Sequence, residues 1–420
     1  MNSEEKIFDV VVVGGGPAGM MAAGRAGESG ASVALLEKNN ALGRKLLLTG
    51  KGRCNITRAE FDPKDIIKEL GKEGDFLRHA LSVFGTRETV DFFEKNGLKT
   101  KVERGKRIFP QSGEAGDVLK ILAAYLKQNK VKMMLGAEVK EIAVDKNKKK
   151  ISKIILQNGE EIYAKNFIIT TGGKSYPGTG STGDGYRWMG KIGHTIVETR
   201  PALVPVAIKE SWPKVAQGLS LKNVGLSVFQ NGKKKASRFG ELLFTHFGLS
   251  GPIVLDLSGE IGALLKKGAV KLFLDLKPAL DFQTMDKRLQ NDFSKYSNKF
   301  FKNCLDDLLP KKMIPVIVEL SGIPALKKVN EITKQERQKL VKLLKGLEMT
   351  AGSLLGMETA IITLGGVSLK EIDAKTMKSK LIENLFFAGE IINLHGPTGG
   401  YNLQICWSTG RLAGQTAGKV

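Results

Sequence analysis

Residues 7–38 read IFDVVVVGGGPAGMMAAGRAGESGASVALLEK, and the fold is decided here. Ile7 to Val13 is a short apolar, β-branched run, the pattern of a buried parallel strand. It runs straight into G-x-G-x-x-G at Gly14, Gly16 and Gly19, a helical stretch from Pro17 and Ala18, and a second strand closed by Glu37. Gly14 permits the tight turn, Gly16 lets backbone approach a pyrophosphate, and Gly19 lets the helix pack closely on the strand. The helix start offers N–H groups and the positive end of a dipole to phosphate. Glu37, 23 positions after Gly14, is placed to accept from an adenosine ribose. A lone glycine motif is weak; strand, helix and acid in sequence make it a dinucleotide site.

The next stretch selects FAD over a nicotinamide cofactor. Leu42 to Asn55 (LGRKLLLTGKGRCN) holds three glycines and four basic residues and is too irregular for one helix. Such a loop past the second strand returns along the dinucleotide towards a flavin. Its N–H groups and cations then stabilise pyrophosphate and the N1–C2=O edge. The expected cofactor contacts are Lys38, Gly43, Arg44, Lys45, Thr49, Gly50, Gly52, Arg53, Cys54 and Asn55.

Helices are expected from Thr86, with an Asn-Gly stop, and from Gly116. VKMMLGAEVKEIAVD and KKISKIILQNGEEIYAK read as a small antiparallel insert turning at Asn158-Gly159, with Val139 against the adenine. The chain returns to the main sheet at Ile168 to Thr170, and Thr171, Gly172 and Gly173 turn off its ligand-facing end. A second G-x-G-x-x-G at Gly178, Gly180 and Gly183 lacks a preceding strand and is not read as a nucleotide fold. From Pro201 short β runs, including GELLFTHFGLSGPIVLDLS, suggest a barrel. Residues from Asp281 to Leu347 have helical spacing, and Thr333 with Glu336 fits a capping box. The chain ends on a buried strand at Leu385 to Ala388, a turn at Gly389-Glu390, and a helix from Tyr401 behind Gly399-Gly400, with Asn402 and Leu403 following.

LGRKLLLTGKGRCN, TTGGKSYPGTGSTGDGY, LFTHFGLSGP, TLGGVSLKEI and LFFAGEIINLHGPTGGYNLQ resemble the signature runs of the BaiN-like (YhiN-type) flavoproteins over essentially the whole chain. The resemblance implies an α/β fold: a Rossmann-like FAD-binding domain of the two-dinucleotide-binding-domain type, with an inserted β-barrel and helical bundle covering the flavin. On that reading residues 1–200 and 350–420 form the FAD domain. Residues 201–349 form the insert, barrel at 201–278 and helices at 279–349. It also implies an oxidoreductase, the group's activities including reduction of a C=C bond conjugated to a ketone in dehydro bile acids and oxidation of aminoacetone. One departure stands out. Where the family often carries an acid two apolar residues after Gly-Glu, this chain has Asn393, which keeps a hydrogen bond and loses the charge.

The 420 residues are 42% hydrophobic and 26% charged, which excludes wholesale disorder and suggests more than one domain. No apolar run approaches the roughly 20 residues of a membrane span. The acidic, polar start is unlike a secretory leader, so the chain reads as cytoplasmic. Three scattered cysteines form no framework, and His79, His194, His246 and His395 are too far apart for a metal site. The net charge is +22, from 65 Lys+Arg against 43 Asp+Glu. Spread along the chain, it favours an anionic ligand in a positive cleft more than a nucleic-acid partner.

The flavin carries the redox chemistry, so the protein must supply placement, electrostatics and a proton. His246 and His395 have the pKa range for proton work near neutrality, Tyr401 a hydroxyl, and Lys51 and Arg53 anion-stabilising charge. Lys174 and Tyr176 are candidates for a substrate pocket, while Cys54 and Cys406 read as structural thiols. Three functions compete: NAD(P)H-driven reduction of a conjugated C=C bond in a small or medium organic molecule, an oxygen-using amine or amino-ketone oxidase, and an RNA-associated flavoprotein.

Overall fold

The computed structural model describes residues 7–145, 147 and 149–419, so the polar opening hexapeptide lies outside the described residues. The chain divides into two units, one ending at Arg200 and resuming at Ile361, the other Pro201–Ala360. Each has its own hydrophobic core.

The first unit is built on a five-stranded parallel sheet in the order Leu385–Phe387, Ala164–Ile169, Phe8–Val13, Val33–Glu37, Lys132–Leu135. Phe8–Val13 is the switch point: the chain leaves it to one side for Val33–Glu37 and later fills the other side with Ala164–Ile169. A crevice opens beyond the carboxyl ends of strands at such a point. Lys132–Leu135, expected in the antiparallel insert, instead extends this sheet beside Val33–Glu37. Its four residues carry too little pattern to assign a partner. The insert proper is Val139–Asp145, Lys150–Leu156 and Glu161–Ile162.

Helix Pro17–Glu28 lies under the last helix, Tyr401–Ala417, through matched small residues. A methyl group on Gly410 would meet Ala18 O at 2.5 Å, and one on Gly414 would meet Ala22 O at 2.2 Å. Small residues at four-residue spacing bring the two backbones close and hold both helix starts at one end of the sheet.

The second unit is a closed barrel in the order Val206–Ile208, Gly248–Ser250, Lys233–Phe244, Ser220–Gln230, Val270–Asp275, Leu347–Leu354. The final strand carries the barrel past residue 349, where the sequence pattern suggested a boundary. Leu226, Val228, Leu272 and Leu274 are buried at 0% exposure, alternating with residues on the outer face. PIVLDLS, read with the β runs, is helical: Pro252–Leu265 starts with Pro at its first turn and buries Ile253, Leu257 and Ile261. That spacing is helical, and a short apolar run between glycines does not reveal it alone. Helices Phe282–Lys295, Ile314–Ser321 and Lys334–Lys345 complete the unit. The expected box is present, Glu336 N donating to Thr333 Oγ1 at 3.2 Å and Thr333 N to Glu336 Oε2 at 2.7 Å.

Among the described residues no helix is long and apolar enough to cross a membrane.

Candidate functional site

At the carboxyl edge of the parallel sheet lies a cleft of about 1340 Å³, its open mouth included, walled entirely by the first unit. Gly14, Gly16, Pro17 and Ala18 form one wall. Gly14 has φ +108°, and a Cβ there would stand 2.6 Å from Thr170 O. Gly19 lies behind the wall, where a Cβ would meet Gly14 O at 1.8 Å. The helix from Pro17 begins without a side-chain cap, leaving its first N–H groups available to an anion.

Glu37 lines the cleft but is already engaged. Its carboxylate accepts from Gly15 N at 2.7 Å and from Asn39 N and Nδ2 at 2.8 and 2.6 Å. Arg44 holds Asn39 Oδ1 at 2.7 Å. Lys38 reaches across to Asp184 at 2.8 Å and Thr182 at 2.6 Å, and Asn39 Nδ2 to Thr179 O at 3.2 Å. These bonds pin the second glycine-rich run against the end of the second strand, and Gly180, Ser181 and Asp184 line the cleft. That run is a site wall without being a nucleotide fold, a role its local pattern did not signal. Val139 lines the same end beside Ala137 and Glu138.

Deeper in, Lys45 Nζ donates to Glu390 Oε2 at 2.7 Å and to Ser175 Oγ at 2.6 Å. Glu390 Oε1 also accepts from Thr363 N at 2.7 Å. Ser175 and Thr363 are members that sequence reading did not single out. Cys406 lies beside Glu390, and burial pushes its thiol up to about 12, which keeps it neutral. Thr171 Oγ1 and Trp188 Nε1 are buried without a hydrogen-bond partner, and both residues line the cleft. Buried orphan groups are costly, and FAD, rich in phosphate, hydroxyl and ring acceptors, fits them. With the uncapped helix start and the apolar side chains of Val13, Leu36 and Ile362, the donor set matches that group. Gly43, Thr49, Gly172, Asn402 and Leu403 complete the expected lining.

Other candidates lie off the cleft. Lys51 is exposed at φ 60°. Arg53 is tied to Glu103 at 3.0 Å and covers the Phe109 ring at 4.1 Å. Cys54 is fully buried, and desolvation pushes its thiol up to about 12. Gly50 and Gly52 shape this turn, and Asn55 Oδ1 is buried without a partner. Gly173 packs on Thr363, Gly389 on Ala18, and Gly399 and Gly400 on Arg58 and Thr57. Tyr401 is not among the residues lining the cleft and donates to Glu60 at 3.0 Å, while Arg58 holds the other oxygen of Glu60 at 2.8 Å. Burial pushes Glu60 up, yet these bonds hold it below the usual carboxylate range. Lys174 packs along Gly183, and Tyr176 adopts a left-handed backbone, neither lining the cleft. Asn393 donates to Glu73 at 3.3 Å, so a carboxyl group still stands at this point, raised by its own burial.

His395 follows Leu394, which lines the cleft, and its Nδ1 is buried without a partner. Burial lowers its pKa, leaving the ring neutral at pH 7. His246 belongs to the second unit, exposed in the turn before Gly248 and edge-on to Phe247 at 4.8 Å. Among the described residues no cluster is suited to a metal ion.

Comparison with known proteins finds the family described as HI0933-like protein Rossmann domain matching residues 8–416. A 3-dehydro-bile acid delta(4,6)-reductase of Clostridium scindens is 32% identical over 97% of this chain and 98% of its own length. A ribosomal RNA dihydrouridine synthase of Haemophilus influenzae is 29% identical over 95% of this chain and 96% of its own. Among solved structures, the 3-ketosteroid-delta4-(5alpha)-dehydrogenase of Rhodococcus jostii shares the fold, with a TM-score of 0.55 at 16% identity, covering 100% of this chain and 99% of the other.

Proposed function

The chain belongs to the HI0933-like Rossmann family and is an FAD-dependent oxidoreductase; from that premise we propose that it reduces a C=C bond conjugated to a carbonyl, with NAD(P)H as electron donor. One observation carries the reading: two relatives named for unlike substrates share this bond chemistry. A delta(4,6)-reductase of a 3-dehydro bile acid saturates bonds conjugated to a ketone. Making dihydrouridine saturates uracil C5=C6, conjugated to its C4 carbonyl.

Bound FAD would supply the two-electron chemistry, and the proton that completes saturation of the bond would come from water. The chain supplies the rest. The helix start at Gly16–Ala18 would hold the pyrophosphate, and Lys45, oriented by Glu390 and Ser175, places positive charge in the cleft. His395, neutral through burial, donates a hydrogen bond to the substrate carbonyl and polarises the conjugated bond. Tyr401, held by Glu60, is assigned to shaping the last helix start.

The test is anaerobic mixing of the FAD-loaded protein with NADPH and then NADH, followed by a 3-keto steroid enone. Loss of the flavin band near about 450 nm and its return with the enone support the reading. Failure of both nicotinamides to reduce the flavin would sink it, and substrate-dependent peroxide from an amino-ketone would favour the oxidase.

A second reading places the conjugated bond in a uracil of RNA. The net charge of +22, which alone did not favour nucleic acid, gains weight beside a relative named for ribosomal RNA.

A further inference from the structure

The barrel presents an outer face unlike the surface of a purely structural sheet. Strand Ser220–Gln230 lies between Lys233–Phe244 and Val270–Asp275. Gly225 is paired with Phe239 and Asp275, Ser227 with Ser237 and Phe273, and Phe229 with Lys234 and Lys271. Residues paired directly across antiparallel strands project to the same side, as do residues two apart. Three rings and two lysines therefore share one face, while Leu226, Val228, Leu272 and Leu274 fill the opposite one.

Phe239 is 66% exposed, although it sits in the middle of a strand. Phe229 and Phe273 are half-buried and meet edge to face at 5.0 Å. The small residues Gly225, Ser227 and Ser237 leave a trough between the rings. A concavity at one end is lined by Phe229, Asn231, Lys271, Phe273 and Lys345. Lys234, paired with Phe229, is exposed on the neighbouring strand beside the rings. The carboxylates on this surface are neutralised in place, Asp275 by Lys345 at 2.6 Å and Glu348 by Lys271 at 2.8 Å.

We infer that this outer face binds single-stranded RNA, with unpaired bases stacked on Phe229, Phe239 and Phe273 and phosphates met by Lys234 beside Lys271. Stacking rings beside cations on the outer face of the barrel suit a strand that supplies both flat bases and a charge at every nucleotide. An acidic polypeptide would match the lysines and leave the three rings without a partner. This surface is the binding half of the RNA reading and rests on it for its choice of substrate class.

The experiment uses the full-length, FAD-loaded protein and a fluorescein-labelled, uridine-containing single-stranded RNA of roughly 12 nucleotides, a length within the range of such sites. Anisotropy is read at about 150 mM salt, where loose charge attraction is weak. Phe239→Ala is expected to weaken binding about ten-fold, and Lys234→Glu to reduce the salt dependence. Flavin absorbance and melting temperature report whether each variant is folded. Ultraviolet crosslinking of the unmutated protein, with the attached peptides identified, is expected to label residues 225–239 or 271–275. Unchanged affinity in both folded variants with crosslinks elsewhere overturns the proposal, as does polyglutamate competing as well as RNA. If uridine in the RNA is reduced while the face fails these tests, the surface is wrong and the RNA reading survives. If the face binds and uridine is never reduced, the surface stands and the RNA reading fails.

Discussion

Lys45 Nζ lies 2.7 Å from Glu390 Oε2, joining the loop after the second strand to the turn after the last strand across 345 residues. Both side chains are about a fifth exposed, 21% and 18%, so solvent screens the pair only in part. Glu390 also anchors Thr363 N, and Lys45 also holds Ser175 Oγ. The pair therefore ties together segments of the cleft wall as well as charging it.

Replacing the cation tests this. Lys45→Met leaves Glu390 with its Thr363 and Ser175 bonds but no counter-charge, and is expected to cost about 1–2 kcal/mol of stability. FAD affinity should fall roughly ten-fold, equivalent to about 1.4 kcal/mol. Glu390→Gln, which keeps an acceptor for Thr363 N, should lose less stability. Chemical denaturation of the apoprotein and a fluorescence titration with FAD separate the two effects. Equal FAD affinity in Lys45→Met and the parent would remove Lys45 from the site.

Two glycines of one motif should fail in different ways. A methyl on Gly19 would stand 1.8 Å from Gly14 O, inside the protein, so Gly19→Ala forces the helix off the strand and should destabilise the fold by several kcal/mol, on the order of 3. Gly16 has φ −80° and no atom within 4 Å of an added Cβ. Gly16→Ala should therefore fold with stability within about 0.5 kcal/mol of the parent. Its methyl occupies the approach to the helix start, and FAD binding should drop more than about ten-fold. Melting curves with and without FAD distinguish the cases. A Gly16→Ala protein that binds FAD normally would show that no phosphate approaches there.

These contrasts mark what the sequence makes legible. Strand, turn, helix and acid over residues 7–37 sit close together in sequence, and their spacing carries the dinucleotide fold. The box at Thr333 and Glu336 is likewise a four-residue signal. Site walls made by distant pairing are not written locally. Lys38 meets Asp184 across 146 residues, and nothing near Gly180 announces that contact. Helix Pro252–Leu265 was hidden because PIVLDLS is too short and too apolar to show a period against its glycine flanks. Within the basic loop Arg44 and Lys45 line the cleft, whereas Arg53 does not. Arg53 has the right charge in the right stretch, yet a carboxylate at 3.0 Å and an aromatic ring at 4.1 Å claim it.

His194 should make the fold acid-sensitive. It is 4% exposed, its Nε2 lies 2.9 Å from Ser379 Oγ, and its ring packs edge-on to Phe387 at 5.2 Å. Burial lowers its pKa below the ordinary 6.5, with Glu371 opposing more weakly. The unfolded chain thus takes up the proton first. Stability is full above about pH 6.5 and falls as pH drops through that value towards the folded one. His194→Gln, which keeps a bond to Ser379, should cost about 1 kcal/mol at pH 8 and decline less steeply between pH 7 and 5. Urea midpoints across that range are the measurement, and parallel slopes for the two proteins would refute the assignment.

His395 is the sharper test of the chemistry, because burial sets its charge state as well as its place. If, as proposed, it is the neutral hydrogen-bond donor to the substrate carbonyl, replacing it should spare flavin reduction and slow transfer to the enone. His395→Asn is expected to leave the NADPH-dependent phase unchanged and to slow the enone-dependent phase about 100-fold. Lowering by burial also fixes the pH profile: the ring is already neutral above pH 6.5, so the parent's enone phase should be flat from there to about pH 8. A rate that instead fell as pH rose from 6 to 8 would require the protonated ring, contradicting its burial, and would move the proton-donor role to another group. Stopped-flow measurement of both phases across this range decides between a neutral donor and a charged acid.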